Sequence, residues 1–256
     1  MRNLLLALTS IATLVPLATA QDSSAQPPVT MRENSQVVSN QPGAEPVMRK
    51  NSSYEPPFCP PKTCLYYAGD FDSADSNANG LYNENDESAG VVGQAWVGVR
   101  PDRDATVTGA TFVGYVFNNG QVGVNPTPFE VRVGIKPGQA GTTICSTRGN
   151  ATVSIYQYNE DYSIYSYTIK KLSKSCKLKK GNVYYVNLLP TYSSGDYAYV
   201  VNVEDAKPKN HHGWKNDLNH CYFNSAYYGA NYVTCNSLGI GSHGYSELSI
   251  ALTGKE

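Results

Sequence analysis

Residues Asp75 to Asp86 read DSNANGLYNEND, with oxygen-bearing side chains at every second position up to a glycine. Asp75, Asn77, Asn79, Gly80, Asn83 and Asp86 fall, in order, on ligand and glycine positions of a twelve-residue calcium loop. Calcium takes about six to eight oxygens, and glycine allows the sharp turn that wraps the chain around the ion. Only Asp75 and Asp86 are charged among these residues, and the flanks AGDFDSA and ESAGVVG lack amphipathic helices. An EF-hand is therefore excluded. The expectation is an Asx-rich turn. A weak structural calcium held by Asp75, Asn77, Asn79, Asn83 and Asp86 is the alternative, with Asp70, Asp72, Glu84 and Glu87 as further charge. No other cofactor is implied.

The tyrosines come next. In SIYQYNEDYSIYSY, Tyr156 and Tyr158 alternate on one strand, and Tyr165 and Tyr167 on the next. A hairpin turning at Asn159 to Asp161 would align them as a cross-strand aromatic ladder. Such a face stabilises a sheet, and it also suits stacking of sugar rings, since aromatic bodies with polar tips fit amphipathic ligands. His211-His212-Gly213-Trp214 offers two adjacent histidines, which point to opposite faces of an extended chain and so make a poor metal pair. Trp214 reads as a packing lid on the sandwich edge or as one aromatic contact in a ligand groove.

Hydrolase signatures are absent. No G-x-S-x-G, H-E-x-x-H, P-loop or Rossmann glycine pattern occurs. Ser242 and His243 are strand neighbours facing apart, with no carboxylate to orient them. Asp102 and Asp104 share a turn with Arg100 and Arg103, which is solvated-turn chemistry. A glycosidase needs carboxyls about 5–9.5 Å apart across a sugar site, a geometry that no spacing in the chain specifies. Asn51-Ser52-Ser53 and Asn150-Ala151-Thr152 fit the glycosylation pattern, relevant only in a eukaryotic host.

The elements that would position these residues are strands. In FEVRVGIK, Phe129, Val131, Val133 and Ile135 alternate with Glu130, Arg132 and Lys136, the period of a half-buried strand. TVTGATFVGYVF (106–117) is a longer strand whose glycines permit bending. Further strands are VVGQAWVGV, TTICST, ATVSIYQY, SIYSYTIKKL, NVYYVNLL, DYAYVVNV and SELSIALT, separated by turns such as Pro137-Gly138, Lys180-Gly181-Asn182 and Ser194-Gly195-Asp196. LSKSCKLKKG reads as a loop leading into a strand. Many short strands with no strong helix pattern predict an all-β, jelly-roll-like antiparallel β-sandwich.

With Val107-Thr108-Gly109, the Leu178 to Val186 strand after a basic turn, Trp214, and a closing strand from Leu248 to Gly254, the chain resembles a loose class of bacterial secreted β-sandwich domains. The likeness spans most of residues 65–254. The resemblance implies a sandwich fold and no defined activity, and it includes relatives with a C-terminal sorting tail that this chain does not show.

The compartment follows from the start of the chain. Arg2, an apolar stretch from Leu4 to Leu17, and Ala18-Thr19-Ala20 make residues 1–20 a secretory signal peptide. Residues 21–57, rich in Gln, Ser, Pro and Asn, read as a disordered spacer that buries too little apolar area to order itself. Residues 58–256 form the sandwich domain. The 20 Lys and Arg against 21 Asp and Glu give a net charge of −1, which excludes a basic field for nucleic acid, and no later segment is apolar enough to span a membrane. The 20 Tyr and 22 Gly suit pleated, half-buried surfaces. Six cysteines in an exported chain read as disulfides rather than scattered zinc ligands. Pairing of sequence neighbours gives Cys59–Cys64, Cys145–Cys176 and Cys221–Cys235. The expected protein is a secreted, non-catalytic module with a structural or binding role at the cell surface or in the extracellular matrix. Polysaccharide or other surface components are its expected partners. The rival readings are a carbohydrate-binding module using the Tyr faces and Trp214, and a secreted hydrolase with unidentified carboxylates.

Overall fold

The computed structural model describes residues 30–32, 59–60, 62–68, 79–87, 90–117, 124–158, 162–192, 198–203, 214–238 and 247–256. The first strands are β1 (Thr30–Arg32), β2 (Cys64–Tyr67), β3 (Asn79–Tyr82), β4 (Glu84–Asp86), β5 (Val91–Arg100) and β6 (Ala105–Phe117). They are followed by β7 (Thr127–Val133), β8 (Thr142–Gly149), β9 (Ala151–Tyr158), β10 (Tyr162–Ile169), β11 (Cys176–Leu178) and β12 (Tyr184–Leu188). The last are β13 (Thr191–Tyr192), β14 (Ala198–Val203), β15 (Lys215–Ser225), β16 (Ala230–Thr234), β17 (Glu247–Leu248) and β18 (Ile250–Lys255). One 3-10 turn, Cys235–Leu238, follows β16, and the described residues hold no α-helix.

Two sheets pack together. The first runs β1-β3-β14-β6-β10-β9, with β18 and β11 also on β6, β2 on β18, and β17 on β14. The second runs β13-β4-β5-β12-β7-β8, with β15 on the other edge of β5 and β16 beyond it. Every pairing is antiparallel except β13 with β4. The long strand β6 is the spine of the first sheet, because four strands share its two edges. The expected all-β sandwich is thus present. Residues 1–20 lie outside the described residues, as does most of 21–57. Within that stretch, however, Thr30–Arg32 forms β1 and pairs with β3, with Met31 opposite Gly80. At those three residues a polar segment gains by pairing its backbone groups with an open sheet edge.

The core explains the strand pattern. Val91, Ala95, Val97 and Val99 turn inward from β5, and Phe129 and Val131 from β7, against Tyr66, Leu81, Phe112, Ile250 and Leu252. Burying each large apolar side chain contributes about 1.5–3 kcal/mol. Two glycines are fixed by close approach. A Cβ at Gly109 would lie 2.6 Å from the Ile169 carbonyl oxygen, and one at Gly254 would lie 1.9 Å from that of Thr106. Gly254 sits where the β6–β18 register shifts, so the chain crosses its neighbour there at backbone distance.

The strand predicted over 129–136 stops early. It ends at Val133, and Gly134 adopts φ 69°, a left-handed conformation. Ile135 is consequently turned out of the inter-sheet core and buried in a separate cluster with Trp96. LSKSCKLKKG likewise departs from a pure loop, since Cys176–Leu178 pairs with β6 as β11. All three expected disulfides form. Cys145–Cys176 joins β8 of the second sheet to β11 of the first, with Cα atoms 5.7 Å apart, and so ties the two layers. Cys221–Cys235 fastens β15 to the turn that follows β16.

Candidate functional site

Only the second half of the calcium spacing falls within the described residues. Asp75 and Asn77 lie outside the described residues, but Asn79 is in β3 and Asp86 in β4, so 79–86 is extended, paired backbone. Asn83, between them, turns inward. Its Oδ1 accepts from Ala95 N at 2.9 Å and from Asn187 Nδ2 at 2.8 Å, while its Nδ2 donates to the Leu188 carbonyl at 2.8 Å. Those contacts commit the side chain to the protein interior. Asn187 Nδ2 also donates to Ala95 O at 2.8 Å. A cavity of about 10 Å³, room for a single water, opens beside both amides. Among the described residues no group of three His, Cys, Asp or Glu side chains is placed to hold a metal.

The carboxylates beside it are sealed. Glu84 and Asp86 are 0 % and 1 % exposed, and the Tyr82 hydroxyl donates to Glu84 Oε1 at 2.7 Å. Burial first, then the charge and hydrogen bond of Glu84, push the Tyr82 phenol well above its ordinary range. Asp102 is half-buried and Asp104 exposed, both at the turn after β5. Arg103 and Lys179 donate to them, and those hydrogen bonds hold both carboxyls below the usual range.

The expected ladder of tyrosines is not in register. A bulge between Ile164 and Tyr165 puts Tyr165 opposite Ile155 and Tyr167 opposite Val153, while Tyr158 faces Ser163 and Tyr156 has no partner position. The side chains of Tyr156, Tyr158 and Tyr165 lie outside the described part. Tyr167 is 1 % exposed, stacks on Phe112 at 5.4 Å, and shares a hydrogen bond of 3.2 Å with Thr127 Oγ1. Trp214 is interior too, 2 % exposed and 6.2 Å from the Tyr66 ring. Both are therefore packing residues in this structure and present no surface to a sugar. His211, His212, Gly213, Ser242 and His243 lie outside the described residues.

A different cluster brings chemistry together. On β5 the odd positions face the core, so Trp96 points to the outer face of the second sheet, yet it is 0 % exposed. Tyr222 of β15 sits directly opposite it. Tyr185 of β12 lies opposite Gly98 on one side and Arg132 of β7 on the other. Gly98 has no side chain, and the Arg132 guanidinium reaches across to 4.4 Å from the Trp96 ring, a cation–π distance. Arg132 Nε donates to Glu130 Oε1 at 2.7 Å and its Nη1 to the Tyr232 hydroxyl at 2.6 Å. Thr143 Oγ1 also donates to Glu130 Oε1. Partial burial opposes the Arg132 charge, but the hydrogen bond and charge of Glu130 outweigh it and the guanidinium holds its proton more tightly than usual. Along the same face, Asn224 Nδ2 donates to Gln94 Oε1 at 3.3 Å. Sequence reasoning missed this group. Its one signal was a tryptophan at a solvent-phase position of β5, in step with Arg132 and Glu130 on the polar phase of FEVRVGIK.

No protein-family model matches the chain, no curated protein matches it in sequence, and no solved structure matches it. The fold itself defines the class, a two-sheet, disulfide-stapled β-sandwich.

Proposed function

We propose that the chain is an exported, non-catalytic β-sandwich module, jelly-roll-like, with a structural or binding role at the cell surface or in the extracellular matrix. The observation that carries this reading is the Cys145–Cys176 bridge between the two sheets, accompanied by two further disulfides. Such staples persist in oxidising compartments and suit a protein that must hold its shape outside the cell. The described residues include no helix long and apolar enough to cross a membrane. The non-catalytic reading is supported by what the carboxylates do. Glu84 and Asp86 are sealed from solvent, and Asp102, Asp104 and Glu130 accept hydrogen bonds from basic side chains. The test is a broad panel of glycosides, polysaccharides and esters incubated with the mature chain. No turnover is expected on any of them. Turnover that survives repurification and is lost on substitution of one carboxylate would establish a hydrolase instead.

A further inference from the structure

The Trp96 cluster has the composition of a recognition site, and its cover has the features of a lid. The indole Nε1 of Trp96 is buried with no hydrogen-bond partner among the described residues. An orphaned buried donor costs free energy and calls for an explanation. Trp214 Nε1 lacks a partner among these residues too, but only at Trp96 does the orphan sit beside a guanidinium, a carboxylate and two tyrosines. Above it, Tyr232 is held at φ 48°, the left-handed region that a bulky side chain rarely adopts. The loop 134–141 lies against the same cover, because Gly138 N donates to Asn231 O at 3.0 Å and Arg132 Nη1 reaches Ala140 O at 3.4 Å. That loop begins and ends on left-handed glycines, Gly134 and Gly141.

We propose that Trp96, Tyr222 and Tyr185 are the floor of a saccharide-binding site, closed in this structure by the Arg132 guanidinium and the Tyr232 ring. A sugar ring has an apolar face that stacks on an indole and hydroxyls that both give and accept hydrogen bonds. It would supply the acceptor that Trp96 Nε1 lacks, donate to Glu130, and meet the Gln94–Asn224 amide pair at the end of the floor. A purely apolar ligand would leave the indole donor orphaned. A cation would bring no acceptor and would face Arg132. Opening requires Arg132 to leave the Trp96 face and give up its bond to Tyr232, so the apparent affinity of the closed chain is lowered by the small fraction that is open.

The inference rests on the non-catalytic reading above, and the experiment separates the two. Indole N–H resonances of the full mature chain are followed while soluble fragments of glucan, chitin, xylan, mannan and uronan are added in turn, with Trp214→Phe assigning the second indole. A saturable shift of the Trp96 resonance is expected with at least one fragment. Arg132→Ala should bind that fragment roughly tenfold tighter, since the plug no longer competes. Tyr232→Phe, which deletes only the hydroxyl that Arg132 holds, should tighten binding in the same direction with less disturbance to packing. A Trp96 resonance unmoved by every fragment in both the parent chain and Arg132→Ala overturns the site. Weaker binding in both Arg132→Ala and Tyr232→Phe overturns the lid. Cleavage of an added fragment would remove the non-catalytic reading while leaving the Trp96 contact standing.

Discussion

The Asn187 amide donates to Asn83 Oδ1 and Ala95 O, and all three groups are buried between the sheets. Asn187→Ala removes both donors without removing the acceptors they served. The expected loss is about 1–3 kcal/mol, read as a lower urea midpoint at unchanged slope. Asn187→Asp should cost more at neutral pH, because it sets a third acceptor, charged, against two others. Its folded-state carboxyl would be driven upward by burial, so the deficit should shrink as pH falls and the group protonates. If neither variant moves the midpoint, the amide pair carries no stability. Asn83 also shows where sequence ran out at this scale. An Asn spaced for calcium and an Asn destined for a buried amide network look identical, and the partner that decides between them is 104 residues away. Trp214 and Tyr167 read as ligand contacts for the same reason, since an aromatic with a polar tip suits a groove and a core alike.

At the scale of elements the chain was far more legible, because period-two alternation is imposed locally by the pleat. The β6 and β7 strands, the sandwich class and all three cystine pairs follow from it and from the cysteine spacing. What failed was register and aim, and each failure has a backbone cause. The bulge before Tyr165 shifts one strand against the other by a residue, and Gly134 turns Ile135 from the core to the Trp96 cluster. The Trp96 site was illegible because β5, β7, β12 and β15 bring it together from four separate stretches. Two glycine substitutions, one at a close crossing and one in open space, test the packing of β18 on β6. Gly254→Ala should lose about 3 kcal/mol or more, since its Cβ would meet the Thr106 carbonyl oxygen at 1.9 Å, which is backbone and cannot swing aside. Gly138→Ala meets nothing within 4 Å and should lose only the cost of φ 74°, about 1–2 kcal/mol. Comparable melting temperatures for the two would mean that β18 does not cross β6 as closely as described.

At the scale of the whole molecule, the cross-sheet bridge and the buried phenols set when the sandwich comes apart. Cys145–Cys176 closes 31 residues and should stabilise the fold by about 4 kcal/mol in the chain-entropy model. Cys59–Cys64 closes 5 and should contribute about 2 kcal/mol. The paired serine variants should therefore melt in that order, and the reverse order would mean the inter-layer staple is not the dominant one. Alkali attacks by another route. Burial and Glu84 raise the Tyr82 phenol, and burial raises Tyr167 against the opposing hydrogen bond from Thr127. The folded pKa of each lies above the unfolded value of about 10, so below that pH both states keep the proton and stability is flat. Above it the unfolded chain ionises while the folded one does not, and stability falls by up to about 1.4 kcal/mol per pH unit for each such tyrosine. Phenolate absorbance should thus rise in two stages. The later stage, in which the buried Tyr82 and Tyr167 ionise, should come only together with loss of the β-sheet signal. A single reversible rise that includes both phenols while the sheet signal persists would show that Tyr82 and Tyr167 are open to water.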